Sequence, residues 1–298
     1  MSERLSDRPI GTLGTRVVVA AIAIPLIISA AFQGGYLFFL FVALISGFSL
    51  SEFYTMAERR AIAPQKTVGL LFGFLVNFSF VYERAQVELY HFFESLGVRL
   101  SMFSQLQFLL VLQLVFLLLV LLVELFRHKG SPFLNVGVTV LGVFIISLFF
   151  GTLVAIRELF PYGFPTYKFF PSSMVNEGTL EPINRWGGYT VAAIFASIWL
   201  CDTAAYFGGR MMGKHKLFER VSPMKTWEGA IFGLVFAVGT MLVAQAFFLE
   251  YLRVIDALIL GAIIGVFGQV GDLVESRWKR DSGVKDSSAI IPGHGGVY

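Results

Sequence analysis

Apolar residues in this chain come in long unbroken runs, and the polar positions gather between the runs rather than alternating through them. Neither the two-residue alternation of a half-buried strand nor the single apolar stripe of a surface helix describes stretches such as "VVVAAIAIPLIISAAF" or "FLLVLQLVFLLLVLLVELF". Mostly apolar runs of roughly 17 to 25 residues are the length at which a helix crosses the hydrocarbon core of a bilayer. About eight such segments can be drawn, near 17–33, 35–51, 67–82, 102–126, 133–156, 188–207, 229–249 and 255–274. The pattern therefore predicts an all-α polytopic integral membrane protein. It divides into a multi-span N-terminal region (1–187) and a C-terminal region (188–298) that carries most of the interesting polar residues. The longest gap, 157–187, reads as a Pro- and aromatic-containing connector with no role that can be assigned.

Composition agrees with the pattern. Of 298 residues, 56% are hydrophobic and 14% charged, far from the quarter charged of soluble domains. The single cysteine, Cys201, excludes an intramolecular disulfide and reads as a small packing residue. The first apolar run lacks a small-residue cleavage site and is followed by others, so a removable signal peptide is not expected. Charge placement predicts orientation. The N-terminus, the loops after spans two, four and six, and the tail hold 3, 3, 2, 5 and 4 of the 23 Lys and Arg, whereas the remaining loops hold 0, 2, 3 and 1. The positive-inside rule then expects both termini on the cytoplasmic side of the cell (inner or plasma) membrane.

Carboxylates interrupt the scheme. Asp202 follows "IFASIWLC", Asp272 lies inside "GVFGQVGDLVES", and Glu275 comes one turn later. A charge at membrane depth costs about 3 kcal/mol on insertion scales, so such residues face a polar cavity or a partner, unless they sit hydrated in the headgroup zone. Asp272, Glu275, Ser276 and Lys279 fall at i, i+3, i+4 and i+7, one face of a helix. A Glu275–Lys279 ion pair alone would leave Asp272 unexplained. Carboxylates beside Arg277, Lys279, Arg280 and Lys285 suit Mg²⁺ and a polyphosphate. His294 sits among glycines in "PGHGG", where the backbone can approach a ligand closely.

Two further stretches bear on phosphate. "GGRMMGKH" imitates a P-loop but has His215 where a metal-binding hydroxyl belongs, and it follows an apolar helix rather than a strand. "VSPMKTWEG" reads as a helix start or tight turn at Ser222–Pro223, which would set Lys225, Thr226 and Glu228 beside a helix N-terminus. A capping role for Ser222 or Thr226 is compatible with phosphate binding at the same place, and the sequence does not separate the two.

Taken together, "CDTAAYFGGRMMGKHKL", "SPMKTWEG" and "GDLVESRWKRDSGVKDSSAIIPGHGG" resemble the phosphatidate cytidylyltransferase (CDP-diacylglycerol synthase) family, in the family's order and, for the last segment, with its signature spacing. The first 190 or so residues match only as an apolar multi-span region. The resemblance implies a nucleotidyltransferase of phospholipid biosynthesis. CTP and phosphatidic acid would become CDP-diacylglycerol and pyrophosphate at the cytoplasmic face of the bilayer, by metal-assisted attack of the lipid phosphate on the CTP α-phosphorus. It implies Mg²⁺, with a second cation left open. Asp272 would be a metal ligand, with Asp202 and Glu275 as further candidates. Lys279, Arg280, Lys285, Asp286 and His294 would be catalytic, and Asp202, Ser222, Lys225, Thr226, Glu228 and Ser276 would bind substrate. No nucleic-acid partner is expected. Small residues Gly261, Ala262 and Gly265 would serve packing within one bundle or a homodimer.

Two departures from the family pattern matter. Met224 stands where many relatives carry a second Lys. The family continues after His-Gly-Gly with Asp-Arg-x-Asp and usually a ninth span, so the sequence is expected to stop short of a metal ligand and to be inactive or weak in metal binding as it stands. A CTP-dependent enzyme acting on an ether-lipid phosphate or a polyprenol is the nearest alternative. A transporter would scatter polar residues along several spans with an internal repeat, and neither is seen.

Overall fold

The computed structural model describes residues 13–98, 101–160, 177–288 and 296. Ten α-helices and one small hairpin are present among them: α1 (Leu13–Gln33), α2 (Gly35–Glu58), α3 (Lys66–Ser79), α4 (Tyr82–Ser95), α5 (Gln105–Leu125), α6 (Pro132–Gly142), α7 (Leu148–Glu158), α8 (Glu177–Met212), β1 (Lys216–Phe218), β2 (Ser222–Thr226), α9 (Trp227–Phe247) and α10 (Val254–Asp281). A π-helical turn, Val143–Ser147, joins α6 to α7 without ending the span.

Six helical stretches are long and apolar enough to cross a membrane: Gly35–Glu58, Gln105–Leu125, Pro132–Glu158, Glu181–Met212, Trp227–Phe247 and Val254–Asp281. They coincide with six of the expected spans. The first expected span lies within α1, as the apolar stretch Val17–Gln33, and the third is the first arm of a bent pair, α3 and α4, whose axes diverge by 73°. With 14 residues α3 reaches only about 21 Å, short of the hydrocarbon thickness. α4 carries Glu83, Arg84, Glu88 and Glu94 and could not continue into lipid. Among the described residues that makes six such helices, or seven with the bent pair taken as one. α8 begins well before the expected residue 188, so the described ends of the 157–187 connector are helical. The helical class expected of the chain holds, and the short β1–β2 hairpin is the one sheet element among the described residues.

Outward faces are covered with large apolar side chains. On α5, Leu114, Leu118, Leu122 and Leu125 are all exposed, as lipid-facing positions must be. Lipid is as apolar as these side chains, so close packing and interhelical hydrogen bonds hold the helices together. α2, α3, α5 and the α6–α7 span enclose a core of Leu50, Phe53, Tyr54, Phe72, Phe116 and Val143. Through it runs a buried polar network, in which the Glu124 carboxylate accepts from Gln65 Nε2 (2.9 Å), Asn135 Nδ2 (2.7 Å) and Arg127 (2.9 Å). At the other end, Arg157, 1% exposed, donates to the α1 carbonyls of Ala31 (2.6 Å) and Phe32 (3.1 Å) and to Asn184 Oδ1 (3.0 Å). Its neighbour Glu158 accepts from Gly35 N at the start of α2 (2.8 Å) and from Arg84 (3.0 Å). One adjacent pair therefore satisfies orphan groups at the end of one helix and the beginning of the next. The turn between them needs glycine, because Gly34 has φ +64° and a Cβ there would lie 2.5 Å from the Arg157 guanidinium.

The C-terminal helices α8, α9 and α10 form a tighter unit built on glycine. A Cβ at Gly229 would stand 2.6 Å from the Ala205 carbonyl and 3.1 Å from the Gly209 Cα, so the backbones of α8 and α9 touch. Gly261 and Gly265 of α10 face Val238 and Leu234 of α9. These two positions therefore serve packing inside the bundle. Ser197 Oγ donates to the Ala237 carbonyl (2.9 Å), and Gln269 Nε2 donates to the Ala230 carbonyl (3.0 Å), pinning α9 between its neighbours.

Candidate active site

α8 and α10 each bring one unusual carboxylate to the same place. Asp202 and Asp272 line a single cavity of about 420 Å³, together with Glu275, Cys201, Gly268 and Gly271. Ile198, Ile264 and Phe267 form its apolar wall. Asp202 lies within electrostatic range of both Asp272 and Lys225. Cys201 is buried, as expected of a packing residue, although it also touches this cavity.

The hairpin supplies the positive charge. β1 and β2 pair antiparallel with Lys216 opposite Thr226 and Phe218 opposite Ser222. Lys216 Nζ donates across the hairpin to the Pro223 carbonyl (2.6 Å). Lys225, near the end of β2, reaches α10 and pairs through Nζ with Asp272 Oδ2. Of the two expectations for Ser222–Pro223, a helix start or a tight turn, the helix start is corrected: those residues open a strand directly after the 219–221 turn, and the helix begins at Trp227. Pairing with β1 overrides the helix-start signal of Ser-Pro. Thr226 is the N-cap of α9, its Oγ1 accepting from Gly229 N at 3.2 Å.

Glu228 turns back toward the end of α8. Its Oε2 accepts from the backbone N–H groups of Lys214 (3.1 Å) and His215 (3.3 Å), and its Oε1 lies 2.6 Å from His215 Nδ1. It thus fixes the turn after α8 against the first turn of α9. The sequence did not single out His215 as its partner. A Glu fourteen and thirteen positions along from two backbone donors leaves no local signal.

α10 runs without a break through the expected helical face, so Asp272, Glu275, Ser276 and Lys279 do share one side. Lys279 pairs with Glu275, as the simpler alternative anticipated, while Asp272 is taken by Lys225. Arg280, Lys285 and Asp286 are exposed at and just beyond the end of α10, with no ion pair among the described residues. Met224 is exposed on the hairpin. His294 lies outside the described residues.

One group missed by sequence reasoning is Glu52 of α2. It is buried, and both its oxygens accept hydroxyl bonds, from Ser287 (2.6 Å) and from Ser288. Glu52 follows directly on the second apolar run, and nothing local marks it as a partner for residues 235 positions away.

The donor set can be matched to a cation. Among the described residues no three His, Cys, Asp or Glu side chains are grouped to hold a metal ion. Of the three carboxylates on the cavity Glu275 is paired with Lys279, and the other two, Asp202 and Asp272, would suit Mg²⁺, which takes one or two protein carboxylates and completes its shell with water and phosphate oxygens. They do not suit a closed, all-protein site of the zinc kind.

Comparison with known proteins gives a consistent result. The model of the cytidylyltransferase family matches residues 14–298. A phosphatidate cytidylyltransferase of Synechocystis is 30% identical over 293 residues, 95% of this chain and 89% of that protein. Phosphatidate cytidylyltransferases of Staphylococcus haemolyticus and Staphylococcus epidermidis are 47% identical over 112 residues and 48% over 103. Those matches span 43% and 40% of the staphylococcal proteins, about two-fifths of their length.

Proposed function

The chain belongs to the cytidylyltransferase family, and from that premise we propose that it makes CDP-diacylglycerol and pyrophosphate from CTP and phosphatidic acid. The observation that carries this reading is the cavity itself. Asp202, Asp272 and Glu275 share it with an apolar wall of Ile198, Ile264 and Phe267. A charged group and a lipid chain can thus be held side by side at the end of a membrane bundle.

In the proposed reaction a phosphate oxygen of phosphatidic acid forms a bond to the CTP α-phosphorus. The bond from that phosphorus to the bridging oxygen breaks, and pyrophosphate leaves with the electron pair. Such transfers depend on positioning and on neutralising charge, and they need no protein nucleophile. Asp202 and Asp272 would hold Mg²⁺, which when bound would draw charge from the triphosphate oxygens. Lys225 would turn from Asp272 toward the incoming phosphates. Arg280 and Lys285, exposed and without ion-pair partners among the described residues, would supply further charge to the polyphosphate. Thr226 and Glu228 would act indirectly, by fixing the hairpin and the 213–215 turn. The two segments richest in Lys and Arg, 208–228 and 275–298, follow the helices that carry Asp202 and Asp272, which favours a site open to the cytoplasm, where CTP resides.

The test is Mg²⁺-dependent, phosphatidic-acid-dependent release of pyrophosphate from CTP by membranes carrying the protein. CDP-diacylglycerol should appear in equal amount. If CTP is turned over only with a different lipid phosphate, the acceptor is wrong. Silence with CTP and every lipid phosphate offered would reject the cytidylyltransferase reading.

A further inference from the structure

Helix α2 belongs to the N-terminal half of the chain, yet its last turns pack against the end of α10 and the segment after it, which carry the exposed Arg280 and Lys285. The Phe53 ring meets the Trp278 indole edge-on, with centroids 5.4 Å apart. Trp278 and Val284 pack against the same core that α2 shares with α3 and α5. Arg60 reaches Asp281 at 3.4 Å. Between these contacts lies Glu52, 4% exposed, with Ser287 and Ser288 hydroxyls donating to its two oxygens. Those serines follow directly on Lys285 and Asp286. Gly296 closes the other side: it has φ +129°, and a Cβ there would lie 1.9 Å from Ser287 Oγ and 2.7 Å from Glu52 Oε2. A carboxylate buried in a membrane protein is costly, and hydroxyl donors to both oxygens are what make it tolerable.

Resting on the proposed function, we infer that Glu52 is a positioning residue for this reaction: its carboxylate gathers Ser287, Ser288 and Gly296 and so fixes where Lys285 and Asp286 stand relative to the Asp202–Asp272 cavity. It does not touch substrate. It acts by holding the stretch that follows directly on Lys285 and Asp286 against α2. Catalytic geometry is sensitive to this, since a displacement of about 1 Å can cost about 100-fold in rate. The N-terminal helices then do more than anchor the protein, because α2 completes the site.

The test uses the whole protein purified in detergent, as wild type, Glu52→Gln, the Ser287→Ala/Ser288→Ala double variant, and the three changes combined. Gln keeps the shape, but its amide nitrogen faces one hydroxyl with no lone pair to offer. Glu52→Gln is expected to lower kcat about 10- to 100-fold while KM for CTP moves less than about threefold, because the loss is one of transition-state geometry. The double serine variant should lose a similar factor, and the combination no more than either, since groups acting as one unit are not additive. Arg60→Gln, which breaks the exposed Arg60–Asp281 pair just beyond the end of α2, should leave kcat unchanged. A second readout is independent of activity. Trypsin should cut after Lys285 about tenfold faster in Glu52→Gln and in the serine variant, with cutting after Arg220 unchanged, because cleavage follows local opening. Multiplying losses, an equal loss in Arg60→Gln, or unchanged cutting after Lys285 would overturn the inference. A wild-type protein that makes no CDP-diacylglycerol would instead reject the proposed function, and the cleavage rates alone would then decide whether Glu52 holds this segment.

Discussion

Lys225 pairs with Asp272, one of the two carboxylates proposed to hold Mg²⁺, and replacing it gives the sharpest separation between metal binding and catalysis. Its ammonium pairs with Asp272, and it lies within electrostatic range of Asp202 as well. The Lys225 side chain is 29% exposed and that of Asp272 50%, so the pair is partly screened by water. A pair of this exposure is worth at most about 1 kcal/mol, which corresponds to roughly a fivefold change in an equilibrium constant. In Lys225→Met the two carboxylates lose their counter-charge. Without CTP, the protein should therefore bind Mg²⁺ (or Mn²⁺ as a probe) up to about fivefold more tightly. Turnover should move the other way. Removing the one ammonium proposed to meet the triphosphate in the transition state should cost about 3 kcal/mol, or on the order of 100-fold in kcat/KM for CTP. Calorimetric or paramagnetic-resonance titration of the cation measures the first effect, and CDP-diacylglycerol formation measures the second. Cation binding weakened in Lys225→Met as much as in Asp272→Asn would refute the reasoning, since Lys225 would then be supporting the cation site rather than competing for it.

Two other substitutions test how the site is held. Gly229→Ala should push α8 and α9 apart at the Ala205 carbonyl, lowering stability by about 1–3 kcal/mol and activity with it, because Asp202 and Lys225 lie on either side of that contact. Gly239→Ala, where a Cβ meets nothing within 4 Å, should be neutral or slightly stabilising by melting temperature. Arg157→Met would strip donors from the Ala31 and Phe32 carbonyls and from Asn184, and should cost on the order of 3 kcal/mol. The expected result is a clearly lower melting temperature with unchanged turnover per folded molecule, and an unchanged melting temperature would show that the buried guanidinium does not hold α1 in place.

The spans were legible because lipid tolerates no unpaired backbone, so each crossing leaves an apolar run in the sequence. The break between α3 and α4 was not. It falls at Phe80–Val81, without Gly or Pro, and only the charges on α4 show that the helix leaves the apolar layer. The hairpin was hidden for a different reason: Ser222–Pro223 carries the local signature of a helix start, and only pairing with Lys216–Phe218 makes it a strand. Within the site, the shared face of Asp272, Glu275 and Lys279 followed from helical period alone. That Lys225 would reach Asp272 did not, because the contact crosses 47 positions between a strand and a helix. Nor could Glu52 be found, since one acidic residue at the end of a span looks like any headgroup-facing carboxylate. What periodicity cannot supply is pairing across elements, and the site is made of such pairings.

The central claim is that Asp202 and Asp272 serve one Mg²⁺ in a cytidylyl transfer to a lipid phosphate. The most direct measurement is CDP-diacylglycerol formation as a function of Mg²⁺ for wild type, Asp202→Asn, Asp272→Asn and the double variant, at matched melting temperature. Each single change should lower kcat/KM about 100-fold or more, and the double change should be little worse than either, because the two carboxylates act as a unit. Full activity in either single variant, or losses that multiply in the double, would contradict it.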